Sequence, residues 1–563
     1  MAADLSPSIH AASAPHQPAV IEYPSGRRLS YGDLDDRSRR LAGLWRERGL
    51  RAGDHVAVLL DNQAAYFEVA WAAQRSGLYL TPVNWHLGPE EAGYVIADCG
   101  AQAVVSTAPL GSLLARLDGA LGSLPPTRLL VGRGLDTAAD ANGEAAGAGA
   151  SGARTADATG GTAGAGAGST GDAVQLGGWE DYDAAVGAAP PIDPADEVEG
   201  AYMFYSSGTT GRPKGIMPPL TGAPFGSGGG LDQVVSALFG YRAGMIYLSP
   251  APLYHAAPLA WSMAAHRIGG TVVVLDRFDA EATLQAIQLH RVTHAQFVPT
   301  HFVRLLKLDP EVRAAYDVGS LEMVVHAAAP CPPDVKDSML DWLGPIVHEY
   351  YSASEGVGFC AIGPEEWRAH RGSVGRSLMG AAHIVGADGE ELPPGEAGQV
   401  WFESWTTFEY HGDPAKTAEV QNDRGWATLG DIGYLDDEGY LYLTDRVAHT
   451  VISGGVNIYP REIEDVLVVH PGVLDVAVIG VPDPEMGERL LAVVQPAPCT
   501  EPGDALVAEL QRHCRERLAG FKCPRDVAFV DELPRLPTGK IRKSELRALY
   551  GTWSGDVTAQ ADR

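Results

Sequence analysis

Amphipathic helices and short apolar strands alternate along the first hundred residues, and this pattern restricts the chain to few architectures. Residues 29–62 read as a helix with apolar Leu34, Leu41 and Leu44, followed by the strand HVAVLL. The same step from helix to strand repeats up to about Thr107. Alternation of this kind is typical of strands that lie parallel with helices packed on their faces. The sequence therefore predicts an α/β fold with mainly parallel sheets.

The alternation continues farther along the chain and then changes character. Before the pattern changes, the sequence predicts the strands 246–249, 271–275, 322–326 and 345–348 and the helix 279–290. After about Gly398 short strands and tight turns take over, including a hairpin signal at 436–439, which indicates a small β-rich subdomain. The last part predicts the helix 460–469, the strands 474–480 and 490–495, the helix 504–518, the strand 526–530 and a helix from 543.

These changes divide the chain into two predicted domains. A large N-terminal domain covers residues 1–445, and a small, mobile α+β domain covers residues 446–563. The boundary near 445–449 has no Gly/Pro linker, which favours a hinge between rigid bodies. Residues 136–178 are almost entirely Ala, Gly, Thr and Ser, and cannot bury enough apolar surface to offset their ordering entropy. We predict a disordered insertion there.

Composition excludes several classes of function. The chain has 563 residues and a net charge of −29, which argues against binding nucleic acid or an anionic membrane surface through bulk electrostatics. The six cysteines form no C-x-x-C pair, so neither a zinc site nor a disulfide framework is indicated. The N-terminus does not resemble a signal peptide, and no apolar run approaches the ~18 residues of a membrane span. We expect a cytoplasmic monomer or homodimer whose partners are small molecules.

One short segment carries a clear chemical signal, the stretch YMFYSSGTTGRPKGIM at 202–217. Three glycines allow backbone N–H groups to approach an oxyanion, four hydroxyls add donors, and a lysine adds a point charge. These residues are Gly208, Gly211, Gly215, Ser206, Ser207, Thr209, Thr210 and Lys214. The spacing is not that of a Walker A loop. A flexible turn between two strands is the alternative, but turns rarely combine so many such groups, and we predict a loop that binds phosphate.

Other segments contain residue types suited to a nucleotide. The segment YYSASEG at 350–356 carries Glu355, whose carboxylate suits Mg²⁺ coordinated by phosphate oxygens. In GDIGYLDDEGYLYLTDR at 430–446, Asp431 suits ribose hydroxyls and Arg446 suits ribose or phosphate. Each has a plain alternative, such as a solvated hairpin for the second. The remaining segments are PLYHAAP at 252–258, HAAAP at 326–330, SGGVNIYPREIE at 453–464 and PTGKIRK at 537–543.

In this order the segments resemble the adenylate-forming superfamily of acyl-CoA synthetases, adenylation domains and luciferases, over roughly residues 28–545. The resemblance implies that ATP, Mg²⁺ and CoA bind to this chain. The implied ATP contacts beyond the loop, Asp431 and Arg446 are Ala328, Ala329, Pro330, Tyr351 and Ser354, with Glu355 as the metal ligand. Lys540 would bind the substrate carboxylate, and His255 would close over it. Other implied neighbours are Trp261, Phe297, His326, Ala328 and Val357 for the acyl pocket, and Gly454 and Gly455 for the CoA tunnel.

One position departs from the pattern of the superfamily. The implied hinge residue is Ala448, where relatives usually carry Asp or Lys, although a small side chain still permits a large change in φ and ψ. An acyl- or aryl-CoA ligase is the leading hypothesis. Alternatives are transfer to a carrier protein or an amine, ATP-dependent activation of nitrite for diazotising an aminoaryl acid, and a non-catalytic nucleotide-binding scaffold. Retention of both Lys214 and Lys540 argues against the scaffold.

Overall fold

The computed structural model describes residues 5–121, 124–132, 177–206, 213–403, 408–446, 449–453, 456–484, 486–535 and 541–551. The Ala- and Gly-rich insertion predicted at 136–178 lies outside the described residues, except for Gly177 and Gly178. Those two residues form a turn directly before a strand that begins at Glu180. The prediction of disorder for the other residues stays a prediction.

The elements up to residue 217 run in the alternating order that the sequence predicts. In chain order they are α1 (Pro7–Ser13), β1 (Pro18–Tyr23), β2 (Arg28–Ser30), α2 (Tyr31–Glu47), β3 (His55–Leu59), α3 (Ala64–Arg75), β4 (Tyr79–Pro82), α4 (Pro89–Asp98), β5 (Ala103–Thr107), α5 (Gly111–Leu121), β6 (Thr127–Val131), β7 (Glu180–Asp181), α6 (Tyr182–Ala188), β8 (Ala201–Tyr202), β9 (Phe204–Ser206) and β10 (Lys214–Met217). Helix α2 begins with a capping box, in which Ser30 accepts from the Asp33 N–H and the Asp33 side chain accepts from the Ser30 N–H.

The middle of the chain alternates in the same way and then becomes β-rich. Its elements are α7 (Gly230–Phe239), β11 (Ile246–Ser249), α8 (Ala256–Ile268), β12 (Thr271–Leu275), α9 (Ala280–His290), β13 (His294–Phe297), α10 (Pro299–Leu306), α11 (Pro310–Ala314), β14 (Met323–His326), α12 (Pro333–Leu343), β15 (Val347–Tyr351), β16 (Phe359–Ile362), α13 (Pro364–Ala369), β17 (Arg376–Met379), β18 (Ala382–Val385), β19 (Gly398–Glu403), β20 (Glu409–Tyr410), α14 (Pro414–Glu419), β21 (Trp426–Leu435) and β22 (Leu441–Arg446). The predicted strand 345–348 runs on to Tyr351, which brings that side chain to a strand end.

The C-terminal part forms a separate sheet with three helices. Its elements are β23 (Val451–Ser453), β24 (Val456–Ile458), α15 (Pro460–Val468), β25 (Val473–Asp483), β26 (Gly487–Pro496), α16 (Asp504–Arg515), β27 (Asp526–Phe529) and α17 (Lys543–Tyr550). Every helix and strand that the sequence predicts after residue 460 is confirmed to within a few residues. The position of the domain boundary itself stays a prediction.

Two large sheets dominate the N-terminal part. Counted over the described residues, one sheet has nine strands in the order β17-β16-β15-β14-β13-β11-β12-β1-β2, and the other has six in the order β7-β6-β5-β3-β4-β8. All pairs of the six-stranded sheet are parallel, as are the central pairs of the nine-stranded sheet. Smaller antiparallel sheets join β20-β10-β9 and β18-β19-β21-β22. The predicted fold class, α/β with a small β-rich subdomain, is confirmed.

The nine-stranded sheet separates two hydrophobic cores. One core contains Tyr247, Val325 and Tyr350 and continues to the six-stranded sheet, while the other contains Phe297 and Val324 on the opposite face. Because neighbouring residues of a strand point to opposite faces, one strand supplies side chains to both cores. Among the described residues, no helix is long and apolar enough to cross a membrane.

Candidate active site

The predicted phosphate loop connects the two antiparallel strands of a hairpin. Strands β9 and β10 are antiparallel, with Ser206 opposite Lys214, so Lys214 begins the returning strand at the end of the hairpin where the two strands are joined. Residues 207–212, which connect the two strands in the sequence, lie outside the described residues. The roles predicted for Ser206, Ser207, Gly208, Thr209 and Thr210 stay predictions. A chain that turns here does place Lys214 beside the turn.

A third strand, β20, completes this small sheet and brings Lys214 and Glu355 together. Ile216 of β10 is paired with Tyr410 of β20, and the His411 N–H donates to the Gly215 carbonyl at 2.8 Å. The Lys214 ammonium lies 5.5 Å from the centre of the Tyr410 ring. The Tyr410 hydroxyl donates to Glu355 Oε1 at 3.1 Å. Two residues that are 141 positions apart in the sequence therefore meet on one aromatic ring.

The surroundings of Lys214 disfavour its charged form. Partial burial lowers the pKa of the Lys214 ammonium, and the nearby Lys416 lowers it further, while Asp413 and Glu419 act in the opposite direction. A bound polyphosphate would reverse this balance, because an anion stabilises the ammonium. Binding of an anion beside Lys214 and ionisation of its ammonium would therefore favour each other.

A second polar group joins β15 to β21. The Tyr351 hydroxyl donates to Asp431 Oδ2 at 2.6 Å, and Asp431 is 7% exposed. In the antiparallel ladder of β21 and β22, Asp431 is paired with Arg446. The structure thus brings together Tyr351, Asp431 and the backbone of Arg446, three of the residues predicted to bind ATP.

The HAAAP segment leaves the sheet next to the strand that ends at Tyr351. Strand β14 stops at His326, and the following residues include Ala328, which has φ +72° and is exposed, half-buried Ala329 and exposed Pro330. Strand β15 lies parallel beside β14 and leads at its own carboxyl end into exposed Ser354 and half-buried Glu355. Ligands of open α/β sheets bind outside the carboxyl ends of the strands. Five of the residues predicted to bind ATP or its metal lie at that edge, namely Ala328, Ala329, Pro330, Ser354 and Glu355.

The structure divides the residues predicted for the acyl pocket between the two faces of the sheet. Trp261 stacks on Tyr350, with ring centres 4.9 Å apart, on the face that packs against α8. Phe297 and His326 are register partners whose side chains lie on the opposite face, where both contact Phe302. The prediction that these two border the same pocket as Trp261 is corrected here. Alternation along β13 and β14 turns both side chains away from α8.

The other two pocket candidates lie in different surroundings. His255 is the half-buried residue before α8, and its ring meets Tyr254 edge to face at 4.3 Å. Val357 is fully buried in the core of the four-stranded sheet, together with Phe402. His255 thus stays at the carboxyl edge of the nine-stranded sheet, whereas Val357 supports the β-rich subdomain.

Four residues predicted for later steps, Lys540, Ala448, Gly454 and Gly455, lie outside the described residues. Their neighbours are described. His449 Nδ1 lies 3.5 Å from Asp445 Oδ1, and Asp445 Oδ2 accepts from the Arg461 N–H at 3.3 Å. The predicted hinge segment is therefore flanked by polar contacts on both sides.

Sequence reasoning missed Tyr410. The only local signal was the run Gly412-Asp413-Pro414, a helix start that follows a short strand. Nothing in that run shows that the strand pairs with β10, which lies about two hundred residues earlier in the chain. The contact with Glu355 is a property of the assembled sheet.

Comparison with known proteins agrees with this geometry. The model of the AMP-binding enzyme family matches residues 8–409, and that of the AMP-binding enzyme C-terminal domain matches residues 462–540. Feruloyl-CoA synthase of an Amycolatopsis species is 34% identical over 97% of this chain and 98% of that protein. The fatty acid–acyl-carrier-protein ligase ScoC of Streptomyces coeruleorubidus is 30% identical over 96% of this chain and 95% of that protein.

Solved structures give the same result. The ATP-bound MatB of Rhodopseudomonas palustris superimposes with a TM-score of 0.74 at 26% identity, covering 98% of this chain and 99% of that one. The amide bond synthetase McbA of Marinactinospora thermotolerans has a TM-score of 0.74 at 25% identity, covering 97% of this chain and 100% of that one. The chain therefore belongs to the AMP-binding enzyme family of adenylate-forming ligases, and it is an ATP-dependent enzyme that activates a carboxylic acid as acyl-AMP and transfers the acyl group to CoA.

Proposed function

We propose that Lys214 and Glu355 hold the triphosphate of ATP at the end of the β9–β10 hairpin where Lys214 begins β10. The observation that carries this assignment is their convergence on Tyr410, with the ammonium 5.5 Å from the ring centre and the carboxylate 3.1 Å from the hydroxyl. Lys214 would bind phosphate oxygens as a point charge, together with the Ser- and Thr-rich turn. The ribose would lie at Asp431 and Arg446, and adenine against Ala328, Ala329 and Pro330.

Mg²⁺ fits this arrangement through Glu355. Its carboxylate is half-buried and accepts a hydrogen bond from a neutral hydroxyl, which leaves oxygen lone pairs for a cation. The described residues contain no group of three or more His, Cys, Asp or Glu that could hold a metal ion. A single carboxylate, with phosphate oxygens and water completing the shell, is a common way to bind Mg²⁺. When bound, the ion would neutralise charge on the phosphates.

The reaction runs in two steps. A carboxylate oxygen attacks the α-phosphorus of ATP, the bond to the β-phosphate oxygen breaks, and pyrophosphate leaves. Lys540 would orient the attacking carboxylate, and His255 would cover it. The CoA thiolate then attacks the acyl carbonyl, and AMP leaves. We propose that residues 446–563 rotate against residues 1–445 about Ala448 between the steps, which brings Gly454 and Gly455 to the thiol.

We further propose that the acid is aromatic. Trp261, Tyr350 and Phe359 stack in sequence beside the carboxyl end of β14, with ring centres 4.9 and 5.5 Å apart, and Phe239 packs against Trp261 at 5.0 Å. These rings belong to one buried hydrophobic core, and a flat ligand that reached its edge would be favoured by stacking. The relative at 34% identity is named for feruloyl-CoA, whose acid is aromatic.

ATP–pyrophosphate exchange tests this function directly. Exchange is measured with ferulate, 4-coumarate and benzoate, with fatty acids of increasing length, and with nitrite plus an aminoaryl acid. We expect the aromatic acids to give the fastest exchange and thioester only when CoA is added. Fastest exchange with long fatty acids would overturn the aromatic assignment. Exchange that occurs with nitrite but with none of the carboxylic acids would favour diazotisation. Unchanged acyl-AMP formation by Lys540→Ala would contradict the role of that lysine.

A further inference from the structure

Tyr410 is the residue at the site to which neither the sequence segments nor the family comparison assigns a role. Its ring face lies toward the Lys214 ammonium, and its hydroxyl donates to the Glu355 carboxylate. In the contacts described for Lys214 and Glu355, the ammonium and the carboxylate each contact Tyr410 and not each other. A direct ion pair would neutralise both groups and remove them from phosphate and metal.

The backbone around Tyr410 is fixed from both sides. On one side, β20 pairs with β10, and the His411 N–H donates to the Gly215 carbonyl at 2.8 Å. On the other side, the Tyr410 N–H donates to Thr417 Oγ1 at 3.0 Å, and Thr417 in turn donates to the Asp413 carbonyl at 3.0 Å. The Tyr410 backbone is therefore held by a strand pairing on one side and by the Thr417 side chain on the other.

The two ends of the side chain act by different physical means. The ring face attracts the ammonium through the aromatic quadrupole. The hydroxyl makes a charge-assisted hydrogen bond, which orients the carboxylate. Replacing Tyr by Phe removes only the second interaction, whereas replacing Tyr by Leu removes both.

We propose that Tyr410 is a positioning residue that holds Glu355 in the orientation for Mg²⁺ and keeps it apart from Lys214, so that both charges face the triphosphate of ATP. The inference rests on the proposed function of Lys214 and Glu355. It assigns the Tyr410 hydroxyl to the metal side of the site and the ring to the phosphate side.

Calorimetric titration with ATP, with and without Mg²⁺, tests this assignment without depending on turnover. We expect Tyr410→Phe to weaken binding of ATP in the presence of Mg²⁺ about 10–100-fold, as for loss of one hydrogen bond to a charged group, and to leave metal-free binding within about twofold. Tyr410→Leu should weaken binding of ATP both with and without Mg²⁺. The matched control is Tyr442→Phe, because the Tyr442 hydroxyl also donates to a carboxylate, Asp436 Oδ2, at 3.2 Å. This control should bind as the wild type does.

The double variant Y410F/E355Q and the single variant E355Q test whether Tyr410 acts through Glu355. If Tyr410 acts through Glu355, the double variant Y410F/E355Q binds ATP and Mg²⁺ no more weakly than E355Q alone, and thermal midpoints show whether each variant is folded. Equal metal dependence of Tyr410→Phe and the wild type, or additive losses in the double variant, would overturn the proposal. Wild-type protein that binds ATP but exchanges pyrophosphate with no acid would instead overturn the proposed function, and the titrations would still decide the role of Tyr410.

Discussion

At the scale of single residues, Gly215 shows how tightly the base of the phosphate loop is packed. A Cβ added there would overlap Met203 and would lie 3.1 Å from Tyr205 Cζ and 3.2 Å from His411 Cβ. The methionine can move, but the Tyr205 hydroxyl is held by Asp98 Oδ2 at 2.7 Å. We expect Gly215→Ala to lower the free energy of unfolding by about 1–3 kcal/mol, as for other overpacked sites. It should also weaken ATP binding, because β10 carries Lys214.

Urea unfolding and calorimetry measure these two effects, and Gly187→Ala is the matched control. Gly187 has no atom within 4 Å of an added Cβ and lies in the last turn of α6, so alanine there is expected to be neutral or slightly stabilising. A Gly215→Ala protein as stable as Gly187→Ala would contradict the packing argument.

Ala328 carries backbone strain at the predicted adenine site. Its φ of +72° is in the left-handed region, which costs a residue with a Cβ about 1–2 kcal/mol. Glycine removes this cost but gains freedom in the unfolded chain, so Ala328→Gly should stabilise the protein by about 0.5–1 kcal/mol. Ala327→Gly, one residue earlier and buried, should destabilise it. Thermal unfolding of the two variants in parallel checks the sign, and a loss of stability in Ala328→Gly would refute the strain.

At this scale the sequence indicated much of the site, because residue types carry their own chemistry. A lysine in a Gly- and hydroxyl-rich stretch and a Glu after a strand were sufficient to single out Lys214 and Glu355. Tyr410 was not identified, because an aromatic residue near a strand is equally suited to a core. Its function as a hydrogen-bond donor depends on which carboxylate it meets, and only the assembled sheet determines that.

At the scale of elements, the limits of the sequence lie in the buried strands. The existence of β11, β12, β14 and β15 could be predicted, because runs such as TVVVL are apolar and bounded by turns, whereas β13 was not predicted. The face of the sheet on which each side chain lies could not be predicted, because strands covered on both sides lack the polar–apolar alternation that marks an exposed face. Residues 271–275 are buried throughout. For this reason the sequence could not show that Phe297 and His326 face away from Trp261.

A buried ion pair joins α12 to β15. Lys336 Nζ lies 2.6 Å from Glu349 Oε2, with side chains 0% and 7% exposed. Lys336→Met would leave the carboxylate buried without its cation, and we expect a loss of about 3–5 kcal/mol in the free energy of unfolding. The double variant K336M/E349L should recover most of this loss, because well-packed apolar residues replace such pairs at little cost.

Unfolding by denaturant of the single and double variants tests this expectation. Glu322→Ala serves as the control, since it breaks the exposed pair of Glu322 with Arg242 and should change stability by less than about 1 kcal/mol. A Lys336→Met protein that unfolds like Glu322→Ala would show that the buried pair does not hold α12 on the sheet.

At the scale of the whole molecule, the structure shows a contact between the two parts of the chain that the sequence does not indicate. Lys307, the residue after α10, donates from Nζ to the Val473 carbonyl, and to the Leu474 carbonyl at 3.1 Å, at the start of β25. These residues are about 166 positions apart. Asp475 next to them pairs with Arg535 of the C-terminal part. Rotation of residues 446–563 would have to break the Lys307 contact.

Burial in this contact lowers the pKa of the Lys307 ammonium to about 8, although the charge of Asp475 opposes the shift. A lysine released to water would have its ordinary pKa of 10.5. The docked state therefore binds fewer protons between pH 8 and 10.5, and docking strengthens as the pH rises through that window. Below pH 8 both states bind the proton, so docking is weakest there and does not change with pH on account of Lys307.

Energy transfer between two dyes measures the docking. Cys499 is exposed and can be labelled directly, whereas Cys99, Cys331, Cys360 and Cys514 are buried. Partly exposed Cys523 is replaced by serine, and Glu311→Cys on α11 supplies the second site. We expect the population with the docked distance to grow from pH 8 to pH 10 in this protein and to stay constant in Lys307→Met. A docked population that falls over this range, or that rises equally without Lys307, would mean that another group controls the arrangement of the two parts.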